Sequence, residues 1–221
     1  MKLTKYDYAS IGVIVLLFVV SFYLYPSLPE EIPTHWNAEG QVDGWGAPHM
    51  IFLFPIISFL IFGLFLAIPK IAVFKKNVSE FKHLESMKFM MVVMFAFLFL
   101  ATVLATINYY NRIILMILPI VGLLFFYLGY ILPEMKRNFF IGIRTPWTLA
   151  DDFVWKQTHA LGGKLFMLLG VLFVLLVFID PRYLLYLIMI KVIGVVVILF
   201  IYSYWVWRKN GKKSNSLSNR N

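Results

Sequence analysis

Six runs of apolar residues, five of them of about the length that carries a helix across a bilayer, make up most of this chain: Tyr8 to Tyr25, Met50 to Ile68, Phe89 to Ile107, Ile113 to Leu132, Leu165 to Ile179 and Tyr183 to Trp207. Backbone groups in hydrocarbon have no water to bond, so each run must satisfy them internally as a helix of about 17 to 25 residues. Leu165 to Ile179 is short for a span, and its helical pattern extends backwards through Gly163 and Gly162. The pattern predicts an all-α, polytopic integral membrane protein with six transmembrane helices. Composition agrees, with 61% of the 221 residues hydrophobic and 14% charged, and a mean hydropathy of +0.82. Cysteine is absent, which removes disulfides and thiolate metal or redox chemistry. The first run lies between Lys5 and Pro26 with no small-residue cleavage pattern behind it, so it is expected to remain as a span rather than leave as a signal peptide.

Short loops rich in Lys and Arg stay in the cytoplasm, and the basic residues here are unevenly placed. Seventeen of them fall in four segments: Lys2 and Lys5; Lys70, Lys75, Lys76, Lys82 and Lys88; Lys136, Arg137, Arg144, Lys156 and Lys164; and Arg208, Lys209, Lys212, Lys213 and Arg220. The intervening loops hold only Arg112 and Arg182. Both termini are therefore expected to be cytoplasmic, in a multi-pass protein of the cell membrane. The net charge of +9 reads as topology and attraction to anionic membrane lipids, not as direct nucleic-acid binding. The implied organisation is 1–69, two spans with an acidic extracytoplasmic loop at 26–48; 70–132, a basic cytoplasmic loop and spans three and four; 133–209, a cytoplasmic insert with spans five and six; and 210–221, a Ser/Asn/Lys tail expected to be disordered. Pro55, Pro119 and glycines 63, 122, 129, 170 and 194 inside spans read as kinks and close packing.

The outer loop has three prolines between 26 and 33, which oppose a regular helix, and Gly40, Gly44 and Gly46, which permit turns. Its charge is wholly acidic, from Glu30, Glu31, Glu39 and Asp43, beside His35 and His49. The acids follow from the charge bias, and Trp36 and Trp45 suit a membrane boundary. The same residues, His35, Trp36, Glu39, Asp43 and Trp45, also suit a recognition surface for a cationic or amphipathic ligand. His35 and His49 with nearby carboxylates lack the H-E-x-x-H spacing, so no metal and no cofactor is assigned.

The inner insert is denser. Gly142 allows a turn before Arg144, and Pro146 extends Thr145, so Ile141 to Trp147 is expected to be non-helical. Thr148 is then a candidate N-cap with Asp151 in the capping-box place, and Asp152 to Lys156 an i,i+4 ion pair. On that helix Asp152, Trp155, Lys156 and His159 share a face, positioned to meet Arg144 or Trp147. Arg144, Thr145, Trp147, Trp155 and His159 form a candidate partner site. Arg144 on helix-end carbonyls or a lipid phosphate, with Trp147 and Trp155 as interface anchors, accounts for the residues equally. There is no nucleophile or paired acid, so no catalytic residue is named and an enzyme is not expected. Lys191, about eight residues into span six, is the one formal charge assigned to the membrane interior; it snorkels, or pairs with Asp180 or an acid of the outer loop.

Both inserts, in this order, resemble the SdpI family of bacterial membrane proteins. The resemblance rests on Leu28-Pro29, Ile32-Pro33, His35-Trp36, Gly40, Asp43 and Trp45, similar to the family's N-terminal domain of unknown function. It rests also on Asn138, Gly142, Arg144-Thr145-Pro146-Trp147-Thr148, Trp155, His159 and Gly163, similar to its C-terminal signature. It implies a six-helix immunity protein that protects a cell from a secreted antimicrobial peptide. It also implies a receptor role, in which the peptide-bound protein holds a cytoplasmic transcriptional repressor at the membrane. The competing classes are a small transporter or metal-dependent membrane protein, and a signalling subunit without immunity function.

Overall fold

The computed structural model describes residues 3–37, 40–70, 81, 83–107, 113–139 and 141–218, with side chains as far as Gly211. Glu39 and the basic residues Lys2, Lys75, Lys76, Lys82, Arg112 and Arg220 lie outside the described residues. Among those described, the helices are α1 (Lys5–Leu24), α2 (Leu53–Ala67), α3 (Leu84–Thr106), α4 (Ile113–Ile131), the short α5 (Pro146–Ala150), α6 (Asp152–Leu175) and α7 (Pro181–Ser218). With their flanking turns, six of these are long and apolar enough to cross a membrane. The protein is an all-α, multi-pass membrane protein in architecture. Among the described residues the loop after α1 adds the one departure, an antiparallel hairpin of β1 (Ile32–Trp36) and β2 (Val42–Gly46). Its register is irregular, with Ile32 opposite Gly46 and Trp36 opposite Val42.

Helices α1 and α2 pack on α3, helix α6 packs on α4 and α7, and α3 and α4 join the two groups. The closest pairing is α4 with α6, and small residues cause it. A methyl group on Gly129 would stand 2.6 Å from the Gly163 carbonyl oxygen, and one on Gly122 2.7 Å from that of Gly170. Backbone contact of this kind replaces the hydrophobic drive that lipid does not supply between helices. Gly63 and Gly194, expected to mark close packing as well, face open space instead.

Three boundaries differ from the sequence reading. First, α6 runs unbroken from Asp152 to Leu175, so the insert's helix and span five are one element, with Gly162 and Gly163 buried inside it. Second, α7 continues through Asn210 to Ser218, the stretch whose composition suggested disorder; a helix already nucleated by a span propagates at low cost.

The third difference concerns charge. Lys88 belongs to α3 and is 1% exposed, so Lys191 is not the one charge inside the helices. The Lys88 ammonium donates to Asp7 Oδ1 of α1, which is fully buried, and to Glu85 Oε2 at 2.6 Å. It also lies 5.4 Å from the Phe62 ring centroid of α2. Asp7 meanwhile closes the capping box of α1 with Thr4, whose hydroxyl reaches Glu85 Oε2 at 3.0 Å. One lysine thus ties three helices together near one end of the bundle.

Gly129→Ala is expected to lower stability by about 1–3 kcal/mol through overpacking, while Gly63→Ala stays within about 0.5 kcal/mol of wild type. Asp7→Ala, which strands Lys88, is expected to cost about 3–5 kcal/mol, with Asp7→Ala/Lys88→Met recovering much of it. Thermal unfolding in detergent measures all four; equal losses for Gly129→Ala and Gly63→Ala contradict the packing account.

Candidate functional site

The insert is built on the junction between α4 and α6. Leaving α4 through the turn Leu132–Glu134, the chain is folded back by Asn138. The Ile141 N–H donates to Asn138 Oδ1 at 2.8 Å, and Asn138 Nδ2 donates to the Lys136 carbonyl at 2.9 Å. Gly142 then adopts φ +117°, a conformation side chains disfavour, and a methyl group there would overlap His159 Nε2. That closeness has a purpose. The next amide, Ile143 N–H, donates to His159 Nε2 at 3.0 Å, while His159 Nδ1 donates to the Trp155 carbonyl at 2.8 Å. One nitrogen accepting and the other donating defines a neutral imidazole with its proton on Nδ1. Trp155 stacks on the same ring, centroids 3.9 Å apart, and donates from Nε1 to the Met135 carbonyl at 2.7 Å. One turn of α6 therefore grips the loop at both of its ends, Met135 and Ile143.

Thr145, not Thr148, is the N-cap of the next helix. It accepts from Thr148 N–H, and Thr148 returns the bond to Thr145 N–H at 2.9 Å. The expected non-helical stretch therefore ends at Thr145, because Pro146 suits the first helical position, where its missing N–H is not needed. Asp151 is itself the N-cap of α6, accepting from Phe153 N–H at 2.7 Å and Val154 N–H at 3.1 Å. Thr145 Oγ1 also donates to Ser203 Oγ of α7 at 3.0 Å, and Trp147 packs on Phe200 and Tyr204. Asn210 Nδ2 donates to Asp151 Oδ2 at 2.8 Å. The end of α7 is thus bonded into the insert.

The single face proposed for Asp152, Trp155, Lys156 and His159 does not form as expected. Trp155 and His159 are buried, whereas Asp152 and Lys156 are exposed, and Asp152 pairs with Arg137 at 2.7 Å rather than with Lys156. Arg144 and Trp147 do not meet the Trp155–His159 pair through hydrogen bonds or ring stacking; backbone amides and carbonyls do, because a tight loop has more orphan backbone groups than side chains to spare. Arg144 points outward, donating to the carbonyl of Phe139 at 2.6 Å; the Phe139 ring is itself exposed, as is that of Phe153 on α6. Burial opposes ionisation of Asp151, but the Val154 and Phe153 amides, Asn210 and nearby Arg137 prevail and hold its carboxyl below the usual range.

At the other end, the hairpin lies across the bundle. Ile32 is fully buried with Leu17, Ile51 and Phe99, and Trp36 packs on Ala101, Ala105 and Ile113. His35 Nδ1 and Asp43 Oδ1 stand 2.6 Å apart at the surface, and Trp45 is 56% exposed. Of the three loop glycines only Gly40 has positive φ; Gly44 and Gly46 instead admit the opposite strand closely, at His35 and Thr34. Asp180 is bound by Arg182 at 2.9 Å and is not a partner of Lys191. Among the described residues no group of three or more His, Cys, Asp or Glu is placed to hold a metal ion.

The insert and the outer loop each match a known protein family model. Residues 134–204 match the SdpI/YfhL protein family and residues 12–59 match a domain of unknown function, DUF1648. The chain is also 29% identical over 210 residues, 95% of its own length and 100% of the relative's, to "Immunity protein SdpI" of Bacillus subtilis (strain 168). The chain thus carries an SdpI/YfhL segment at residues 134–204 and is similar to an SdpI protein along nearly all of its length. No solved structure matches it. The family's matched segment begins at the turn that leads into the insert and ends on α7 at Tyr204, one residue past Ser203, so it takes in the insert, α5, α6 and α7 as far as the Thr145–Ser203 bond.

Reading the sequence alone misses Asp7, Glu85 and Lys88, Ser203, and Asn210. Two signals were present: Thr4-x-x-Asp7 before an apolar run, and the three-residue spacing of Glu85 and Lys88. Ser203 and Asn210 carried none, since their partners are fixed only by packing.

Gly142→Ala is expected to open the Ile143–His159 bond and lower the melting temperature by several degrees, with protease cleavage appearing between 136 and 150. For Asp151, whose pKa is depressed on folding, the sign is that its stabilisation is present above the ordinary carboxylate pKa and lost as pH falls through the depressed value. Melting curves from pH 7 to pH 3 should show this loss in wild type and its absence in Asp151→Asn, which keeps a capping side chain without the charge.

Proposed function

We propose that the chain is a membrane immunity protein that protects its host cell from a secreted antimicrobial peptide. The observation that carries this reading is similarity running nearly end to end with a relative named for immunity. The distribution of Lys and Arg supports a hairpin that faces outside and an insert and termini that face the cytoplasm. In that orientation a peptide approaching from outside meets an acidic surface, Glu30, Glu31 and Asp43, with Trp45 presented beside it. Such a surface suits a cationic, amphipathic ligand, since charge steers the encounter and an indole holds an apolar face.

The residues of the insert divide by role. Trp155, His159 and Thr145 hold the loop from within, while Arg144 and the rings of Phe139 and Phe153 form its outward face. In the fuller form of the proposal that face binds a cytoplasmic repressor when peptide occupies the other end, and releases it otherwise. Two sites that bias one packing equilibrium are coupled in both directions.

The test is survival of a peptide-sensitive strain expressing the intact chain across a peptide dose series. Wild type should raise the lethal dose, Gly142→Val should abolish the effect at equal membrane abundance, and Trp45→Ala should reduce it. Killing that is unchanged by the intact protein rejects immunity to that peptide. Arg144→Glu should preserve survival yet leave a tagged repressor soluble in the presence of peptide; a repressor that is soluble with wild type as well rejects the receptor half.

A further inference from the structure

The hairpin has two edges, and its sequence closes one of them. Strand β1 lies on α3 with Ile32 and Pro33 buried, and Pro33 has no N–H to offer a further strand. Among the described residues β2 packs chiefly on β1, and the sheet has two strands, so the outer edge of β2 carries no ladder. Pro33 also decides what that edge presents. It stands opposite Trp45 and cannot exchange both bonds of a hydrogen-bonded pair. The two therefore form the other kind of antiparallel pair, whose N–H and C=O groups point away from the partner strand. The N–H and C=O of Trp45 lie on the free edge.

The side chains beside that edge define a face. Exposure alternates along β2, with Asp43 and Trp45 exposed and Val42, Gly44 and Gly46 partly covered. Asp43 Oδ1 meets His35 Nδ1 at 2.6 Å, which holds the carboxylate in place. Proteins commonly blunt an exposed edge with proline or lysine, and β2 has neither. Its irregular register lies towards Val42, while Ile32 opposite Gly46 and Pro33 opposite Trp45 are in step. Around the edge, residues 26–48 carry four acids and no lysine or arginine.

We infer that the free edge of β2 binds an extended segment of a cationic peptide as a third strand, with an apolar side chain over Trp45 and a basic one two residues away over Asp43. This rests on reading the hairpin as the surface that meets a peptide from outside. Only a polypeptide backbone supplies donors and acceptors at the spacing of a strand, so the edge selects an extended chain. Pairs across the strands then select its side chains. Residues two apart in a strand share a face, which puts both contacts on one side of the added segment. A second copy of this chain suits the edge poorly, because pairing β2 with β2 would set the four acids of one loop against the four of the other.

The experiment places the purified full-length protein in phosphatidylcholine nanodiscs and adds a labelled synthetic probe, Thr-Leu-Thr-Lys-Thr-Leu-Thr-Lys-Thr. Binding is read by fluorescence anisotropy against empty nanodiscs, and amide exchange of 42–46 by mass spectrometry. The probe should bind and slow that exchange. Methylating its backbone nitrogens one at a time should weaken binding at every second position and leave the alternate ones unchanged, since only one row of N–H groups faces β2. Trp45→Pro should bind roughly five-fold more weakly than Trp45→Val, which lacks the indole but keeps the N–H. Asp43→Asn should weaken binding roughly two- to five-fold, and a probe with glutamate in place of lysine should not bind. A methylation scan without the two-residue period overturns strand addition, and it uses wild-type protein, so it decides the matter whether or not Trp45→Pro folds. Equal binding of the glutamate probe overturns the cationic partner, and exchange that is slow without probe and quickens on dilution assigns the edge to a second copy instead. Survival is scored separately: protection with a flat scan sinks this inference alone, whereas killing unchanged by the intact chain, with a periodic scan, sinks immunity and leaves the strand site standing.

Discussion

Lys88 and Asp7 are, among the described residues, the full charges that the bundle buries almost completely, and the arrangement of the first three helices depends on their meeting. A charge taken from water costs several kcal/mol unless a partner and further hydrogen bonds replace its hydration. Lys88 has two carboxylates and an aromatic face, and Asp7 has Lys88, the Thr4 amide and the Thr4 hydroxyl. Sliding α1 against α3 by one turn would strand both charges, whereas sliding an apolar contact by one turn would only exchange one aliphatic neighbour for another. The pair therefore specifies register in a setting where hydrophobicity cannot, since lipid and leucine are equivalent surroundings.

The other half obeys the same constraint by different means. Helices α4 and α6 carry no buried ion pair; backbone contact through Gly122, Gly129, Gly163 and Gly170 sets their register instead. Where they diverge, the loop between them must turn without leaving amides unpaired, and His159 supplies an acceptor from inside α6 to the Ile143 N–H. Gly142 is required because any side chain there would occupy the space of that imidazole. The motif residues of the insert are thus mainly internal fittings, and their surface expression is confined to Arg144 and the exposed rings of Phe139 and Phe153.

The six spans were legible because a 20-residue apolar run has few alternatives in a bilayer. The hairpin was hidden: Pro33 argued against regular structure, and β1 has only five residues and an irregular register. In the candidate site, Gly142 before Arg144 was readable from local chemistry, but the caps were shifted: Thr148 takes the second place in a capping box led by Thr145, and Asp151 caps α6 instead of completing a box with Thr148. What stayed out of reach was pairing across the chain, such as Trp155 with Met135 or Thr145 with Ser203, since periodicity assigns a residue to a face and says nothing of what packs there. Lys88 was misplaced for a related reason. A lysine beside an apolar run looks like the end of a span until its acids on α1 and one turn back are brought to it.

Helix α4 is the element that relates the two ends of the molecule. Ile113 at its start packs with Trp36 of the hairpin, and Ile114 touches Gly40. Ile131 and the following Leu132 and Met135 pack on Trp155, the stacking partner of His159. Between these contacts α4 is locked to α6 through backbone, so it moves with α6 or not at all. A ligand that displaced Trp36 would push on a rod whose far end shares a cluster with the insert, and no soft joint between them would absorb the motion apart from Pro119 inside α4. Coupling in such an arrangement requires two packings of nearly equal free energy, because close-packed interfaces switch rather than bend.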